Sequence, residues 1–290
     1  MKVFKVNAFT KTPNGGNPAG VVLDAPKLTP PHMKNVTKQL RVSETAFVYP
    51  STIADYMVRF FSPELEVDLC GHATIATFFT MAQQHHLQTN DGVLSVDQET
   101  RAGILSVDLH FTDSKCTKVM MSQAKPILKG LHIEQKKIAS ALNIPLSALD
   151  TSFPLQKVST GLFTFPVCVH SLDILSIMRP NFTRVKNLCT EIGVGSFHVF
   201  TFETYEQQST YHARNFAPLY GLDEDPVTGT ANGALSSYLL KNNIISQTQL
   251  RCEQGDIIGR PGRVYVNLDQ NTVKVGGIAY IVEEKDIEVS

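Results

Sequence analysis

The run Arg59-Phe60-Phe61-Ser62-Pro63 recurs as Arg214-Asn215-Phe216-Ala217-Pro218, 155 residues further along. It is the middle one of three matched landmarks that keep their order. Before it, Lys34-Asn35-Val36 leads through Val42-Ser43-Glu44 into the apolar run Ala46-Phe47-Val48, and Lys186-Asn187-Leu188 leads through Val194-Gly195-Ser196 into His198-Val199-Phe200, at a constant offset of 152. After it, Cys70-Gly71-His72-Ala73 is matched by Thr228-Gly229-Thr230-Ala231, and each opens a helical pattern. One such match is weak, whereas three in the same order point to an internal repeat and so to two similar lobes. The repeat places the lobes at residues 1–124 and 125–290, with Lys125 to Asp150 as the connecting stretch and the last strand free to return to the first lobe.

Between the landmarks, short runs rich in Val, Ile and Phe predict strands at Lys2 to Phe9, Gly20 to Leu23, Thr45 to Tyr49, Tyr56 to Phe61, Gly92 to Asp97 and Ile104 to Phe111. Helical patterns cover Pro31 to Leu40, His72 to His86, Glu134 to Leu142, Phe182 to Ile192 and Gly229 to Lys241. Strands in runs with an occasional helix favour an α+β class over a doubly wound parallel sheet.

Composition removes several function classes. The chain has 290 residues, 42% hydrophobic and 18% charged, which is enough apolar material for a sizeable core and too little charge for disorder. Twenty-six Lys and Arg balance 27 Asp and Glu, so no field exists to hold a nucleic acid. No secretory signal and no run of about 18 apolar residues is present, which predicts a cytoplasmic protein with no membrane partner. The five cysteines are far apart and never C-x-x-C, so neither a disulfide framework nor a zinc site is expected, and with no other ligand spacing the metal expectation is none. There is no G-x-G-x-x-G after a strand, no P-loop and no G-x-S-x-G elbow.

What remains is chemistry at the repeated helix starts. The first turn of a helix offers unpaired backbone N–H groups and a partial positive charge, and Gly71 and Gly229 let that backbone approach a ligand. Pseudo-twofold lobes would set such starts across a cleft suited to a small-molecule substrate carrying a carboxylate. His72, in the first helical turn, would stay a neutral imidazole able to donate one hydrogen bond. Asp68 reads as a helix cap. Asp225 belongs to a cluster of three acids, Asp223-Glu224-Asp225, where one cap would do, and it is a candidate for holding an ammonium. Glu44 occupies the lobe position held in the other half by Ser196, which provides one acid/base group in the pair.

These motifs coincide with a known family: the chain resembles the PhzF-like isomerases of phenazine biosynthesis, which share the diaminopimelate epimerase fold. The resemblance runs from Asn7-Ala8-Phe9 and Gly16-Asn17-Pro18-Ala19 through Ser43 to Val48, Arg59 to Pro63, Asp68 to Thr74, Ser159-Thr160-Gly161 and Asp225 to Ala231, to Glu253-Gln254-Gly255 and Gly259-Arg260-Pro261-Gly262. It implies two pseudo-symmetric lobes, each a curved barrel-like sheet around a central helix, and a homodimer. It places the catalytic residues at Glu44, His72 and Asp225, with Cys70, Gly71, Thr228, Gly229 and Thr230 around the substrate. The implied reaction is an isomerisation in a biosynthetic pathway, in which a proton leaves one carbon and returns at another without a cofactor. The parent epimerase uses a cysteine at each helix start. Here Cys70 matches the first and Thr228 stands at the second, and a hydroxyl is a poor proton base near neutral pH. A racemase or epimerase using Cys70, or a non-catalytic small-molecule binder of the same fold, are the alternatives.

Overall fold

Strong β-formers at the chain start put Lys2–Ala8 into a strand, paired antiparallel with Asn17–Val22 on one side and with Ala279–Asp286 on the other. The computed structural model describes residues 1–25, 28–269 and 272–288. The chain divides into two compact units, Met1–Ser122 with Gly276–Ser290, and Gln123–Val275. The helices, in chain order, are α1 (Pro30–Leu40), α2 (Gly71–Gln83), α3 (Gln135–Leu142), α4 (Leu172–Ile177), α5 (Phe182–Ile192) and α6 (Gly229–Lys241). None among the described residues is long and apolar enough to cross a membrane.

In the first unit the sheet continues from Asn17–Val22, parallel to Glu44–Pro50, antiparallel to Tyr56–Phe61 and parallel to Gly92–Thr100, then antiparallel to Gly103–Thr112. The second unit repeats the plan: Phe163–Cys168 is parallel to Ser196–Thr201, which is antiparallel to Tyr211–Ala217, which is parallel to Gln249–Gln254, which is antiparallel to Gly262–Asp269. The registers match residue by residue. Phe47 faces Arg59 and Thr45 faces Phe61, as Val199 faces Arg214 and Phe197 faces Phe216. The repeat read in the sequence is therefore a repeat of strand pairing, and the α+β class holds.

The strands of each unit pack against one helix. Ten consecutive residues of α2, Ala73 to Ala82, are buried, and helix α6 is buried from Ala231 to Leu239. A helix sheltered on every face must be apolar or internally satisfied all round. The sequence complies with Ala, Ile, Phe and Leu, and with polar residues that bond back one turn. Thr74, Thr77 and Thr80 donate to the carbonyls of Cys70, Ala73 and Ala76, and Asn232 and Ser237 donate to those of Thr228 and Gly233. Helix α2 packs against Lys2–Ala8, Asn17–Val22, Glu44–Pro50, Gly103–Thr112 and Ala279–Asp286, so the sheet curves round it.

Outer helices are amphipathic. Met33, Val36 and Leu40 of α1 meet Val3, Val22, Phe47 and Phe61. Val185, Leu188 and Cys189 of α5 meet Ile138 and Leu142 of α3 together with Phe165, Phe197 and Phe216. The stretch from Lys125 to Asp150, expected as a connector, is thus part of the second unit: its strand Ile127–Gly130 pairs with Gln156–Ser159 and its helix α3 enters the core. Two boundaries also move. The second strand is Asn17–Val22, and α2 stops at Gln83 because His85 adopts a left-handed backbone, φ 62°, placing His85 and His86 beyond the helix.

The repeated Arg-x-Phe-x-Pro motif has a structural use in each unit. Arg59 donates through Nε and Nη2 to Glu66 at 2.7 and 2.9 Å and lies over the Phe61 ring at 5.1 Å. Arg214 donates likewise to Glu224 at 2.9 and 2.7 Å and lies over Phe216 at 4.9 Å. Each pair ties the strand to the acidic segment leading into the central helix. Arg214 is 5% exposed and also donates to the carbonyls of Leu175 and Met178, whereas Arg59 is 30% exposed. Removing one partner of a buried pair costs roughly 3–5 kcal/mol, much more than for a hydrated pair. Glu224→Ala is accordingly expected to lower unfolding free energy by about 3 kcal/mol or more and Glu66→Ala by clearly less, as read from denaturant unfolding of the two variants side by side.

Candidate active site

In the first unit a strand start and a helix start converge. Glu44 begins Glu44–Pro50, Cys70 is the N-cap of α2 and His72 is the second residue of that helix. His72 Nε2 lies 3.4 Å from Glu44 Oε2 and 3.4 Å from Ser43 Oγ, while Nδ1 lies 3.5 Å from Cys70 Sγ. With the proton on Nε2, the ring donates to the carboxylate and Nδ1 can accept from the thiol; the other tautomer reverses the roles. Glu44 and His72 are 22% and 13% exposed, sheltered yet open to a small molecule. Gly71 opens the helix between the two functional side chains, and no acidic residue or side-chain cap occupies the first turn.

Two expectations change here. Asp68 does not cap α2: it stands on the surface and pairs with Arg101 at 3.2 Å. The reading that no metal-ligating residues cluster is also corrected, because Glu44, Cys70 and His72 bring one donor atom each within 4.8 Å of one another. Glu44 is 26 residues from Cys70 in sequence, and only the approach of strand to helix makes them neighbours.

The other four cysteines are free, buried side chains. Burial pushes the Cys189 and Cys252 thiols up to about 12 and Cys116 up to about 11.

The equivalent positions of the second unit carry different chemistry. Ser196, at the place of Glu44, is buried and exchanges a 2.8 Å hydrogen bond with Thr164. Thr228 is the N-cap of α6, Gly229 and Thr230 are its first two residues, and Thr228 donates its hydroxyl to Asp225 Oδ2 at 2.5 Å. The three neighbouring acids divide their duties: Glu224 is committed to Arg214, Asp223 is exposed, and Asp225 meets the helix start. Thr160 donates to the carbonyl of Thr230 at 3.1 Å, which explains why Ser159-Thr160-Gly161 belongs with this region.

Gln254 is the residue that reading the sequence for chemistry passed over. Its Oε1 accepts from the Thr228 N–H at 3.1 Å and from Asn232 Nδ2 at 2.8 Å. Its Nε2 donates to the Asp225 carbonyl at 2.9 Å and to Thr228 Oγ1 at 3.1 Å. Successive strand residues point to opposite faces, and Glu253 uses the other one. Burial would raise the Glu253 carboxyl, but hydrogen bonds from His212, from the N–H groups of Tyr205 and Glu206 and from Ser209 hold it down at about 2. Gly255 follows with φ +90°, and a Cβ there would stand 2.3 Å from the Arg260 carbonyl oxygen and 2.7 Å from that of Pro226. Beside Asn232, the fully buried His198 is pushed by burial down to about 4 and so stays neutral.

Gln254→Ala would remove the acceptor of the Thr228 N–H and a donor to the Asp225 carbonyl, both part-buried. Losing the partner of a sheltered polar group costs roughly 1–3 kcal/mol. The variant is expected to lose about 2 kcal/mol or more of stability and to show faster amide hydrogen exchange at Thr228, with Cys70 in the first unit unaffected.

The sequence profile of phenazine biosynthesis-like proteins matches residues 6–285. An uncharacterized isomerase of Clostridium acetobutylicum is 36% identical, covering 98% of this chain and 97% of its own length. The trans-2,3-dihydro-3-hydroxyanthranilate isomerase of Pseudomonas fluorescens is 27% identical over 91% of this chain and 89% of its own. The crystal structure of the PhzF-family phenazine biosynthesis protein of Bacillus anthracis superposes with a TM-score of 0.90 at 34% identity, covering 100% of this chain and 99% of that one. A match along almost the whole length, to the family profile, to relatives named as isomerases and to a PhzF-family structure, makes this chain a member of the phenazine biosynthesis-like (PhzF) family.

Proposed function

We propose that this isomerase shifts a proton between carbons of a small carboxylated substrate bearing an amino or hydroxy group, with Glu44 as the proton carrier. The observation that carries the reading is the 3.4 Å contact between Glu44 Oε2 and His72 Nε2 at the start of a buried helix. A carboxylate takes the proton from carbon, the positive end of α2 favours the charge that develops on the substrate, and the same carboxyl returns the proton at the second carbon. His72 steadies Glu44 by donating to it in the ionised form and can polarise a substrate oxygen. The second unit has a polar helix start of its own, where Asp225 accepts from the Thr228 hydroxyl and the first-turn N–H groups at Gly229 and Thr230 suit an anion. The relative named for a dihydro-hydroxyanthranilate supports a cyclic hydroxy-amino acid as the substrate class.

A second reading has its own observation: Cys70 Sγ lies 3.5 Å from His72 Nδ1, the spacing of a thiol that an imidazole could activate for epimerisation. Inversion at one carbon calls for a second acid/base group on the opposite face. The repeat-related residue is Thr228, whose hydroxyl proton is directed to Asp225.

Incubation of candidate cyclic hydroxy-amino acids with the protein in heavy water, followed by NMR, is expected to show deuterium entering at carbon. On a substrate so found, Glu44→Gln should lower the rate by roughly 10²- to 10⁴-fold with the fold intact. Near-normal activity in a folded Glu44→Gln protein sinks the mechanism. Cys70→Ala is expected to retain activity within about tenfold, short of the loss of a general base. Abolished turnover in that variant, with deuterium at an inverted stereocentre, establishes the epimerase reading instead.

A further inference from the structure

We propose that Glu44, Cys70 and His72 form a binding site for a thiophilic divalent cation, Zn²⁺ being the best match, and that metal occupancy and proton transfer at this site exclude each other. The second half of the statement rests on the proton-carrier reading of Glu44; the first half does not.

The donors are a carboxylate, a thiol and an imidazole, each offering one ligand atom, all within 4.8 Å of one another. His72 Nε2 is the common point, 3.4 Å from Glu44 Oε2 and 3.9 Å from Cys70 Sγ. Zinc bonds of about 2.0–2.1 Å to nitrogen or oxygen and about 2.3 Å to sulfur make tetrahedral edges of roughly 3.3–3.6 Å. The Glu44 edge matches one a bound ion would impose, whereas Cys70 Sγ lies beside the ring, nearer Nδ1 at 3.5 Å than Nε2 at 3.9 Å, and must rotate toward the Nε2 side to complete the site. Softness selects the ion: thiolate with imidazole favours zinc over magnesium or calcium, which want oxygen donors.

Position matters as much as donor type. The backbone under two of the three ligands is the start of α2, whose following residues from Ala73 are buried against the strands of the first unit. Three protein ligands leave a fourth position for water, the arrangement of exchangeable and catalytic zinc rather than of closed structural sites. Ser43 Oγ, 3.4 Å from His72 Nε2, stands ready to hydrogen-bond that water. Coordination by the thiolate releases one proton from the Cys70 thiol to solvent as the S–Zn bond forms, so apparent affinity should rise with pH. The lone pairs that hold the ion on Glu44 and His72 are those that would receive a proton, which is why the two occupations compete.

The test is a Zn²⁺ titration of the full chain against a competing chromophoric chelator, with no substrate present. Wild type is expected to bind one ion with a Kd on the order of 1 μM or tighter. Glu44→Ala, Cys70→Ser and His72→Asn, each checked for native circular dichroism, should weaken binding at least tenfold, while a His85→Ala, His86→Ala double variant should not. Titration with Co²⁺ should give a thiolate-to-metal charge-transfer band that Cys70→Ser abolishes. Absence of one-to-one binding below about 100 μM, or affinity within tenfold of wild type in Cys70→Ser or His72→Asn, overturns the site. If binding holds but saturating zinc leaves turnover intact on a substrate found in heavy water, the exclusion clause and the role of Glu44 fail while the metal site stands.

Discussion

Burial of the body of one helix in each unit, Ala73 to Ala82 and Ala231 to Leu239, is the constraint on which the rest depends. A helix with solvent on one side can turn its polar residues outward, but α2 and α6 have no such side, so their sequences are restricted to small, apolar or self-satisfying residues. Thr74, Thr77 and Thr80 meet that demand by bonding to carbonyls one turn back, and Asn232 and Ser237 do so in α6. Only the ends of such a helix can present chemistry, and the N-terminal end carries the partial positive charge. The candidate residues gather there because the fold leaves them nowhere else along the helix.

Holding those ends in place requires more than the helix. In each unit an arginine from the repeated motif grips an acidic residue just upstream of the helix, Glu66 in the first and Glu224 in the second. The second unit adds Gln254, whose side chain bonds the loop from Asp225 to Thr228 from both its donor and its acceptor ends. Glu253 anchors the same strand from its opposite face through His212 and two backbone N–H groups. Position is thus fixed by satisfied polar groups in a dry interior, where a missing partner is costly.

The two units share this scaffold and differ in the groups placed on it. Glu44 has Ser196 as its counterpart, and Cys70 has Thr228. One unit therefore offers a carboxylate, an imidazole and a thiol together, and the other offers the Thr228 hydroxyl directed to Asp225. A symmetric pair of acid/base groups would suit inversion at a single carbon, whereas one carboxylate suits removal and return of a proton by the same group.

Much of this was legible in the sequence. The offsets of 152 and 155 between matched runs are also the offsets between equivalent strand pairings, since a repeat that preserves the hydrophobic alternation preserves the register. The helix starts at Gly71 and Gly229 were visible, as was the place of Glu44 before an apolar strand. The roles of Gln254 and of the stretch after Lys125 were not, because a polar strand end and a segment of mixed composition carry no periodic signal, and the contacts that define them come from distant chain. Nor could spacing reveal that Glu44, Cys70 and His72 form one cluster: local pattern determines which residues lie at the ends of elements, but only tertiary packing decides which ends meet, because that depends on how the strands of the unit pack around its helix.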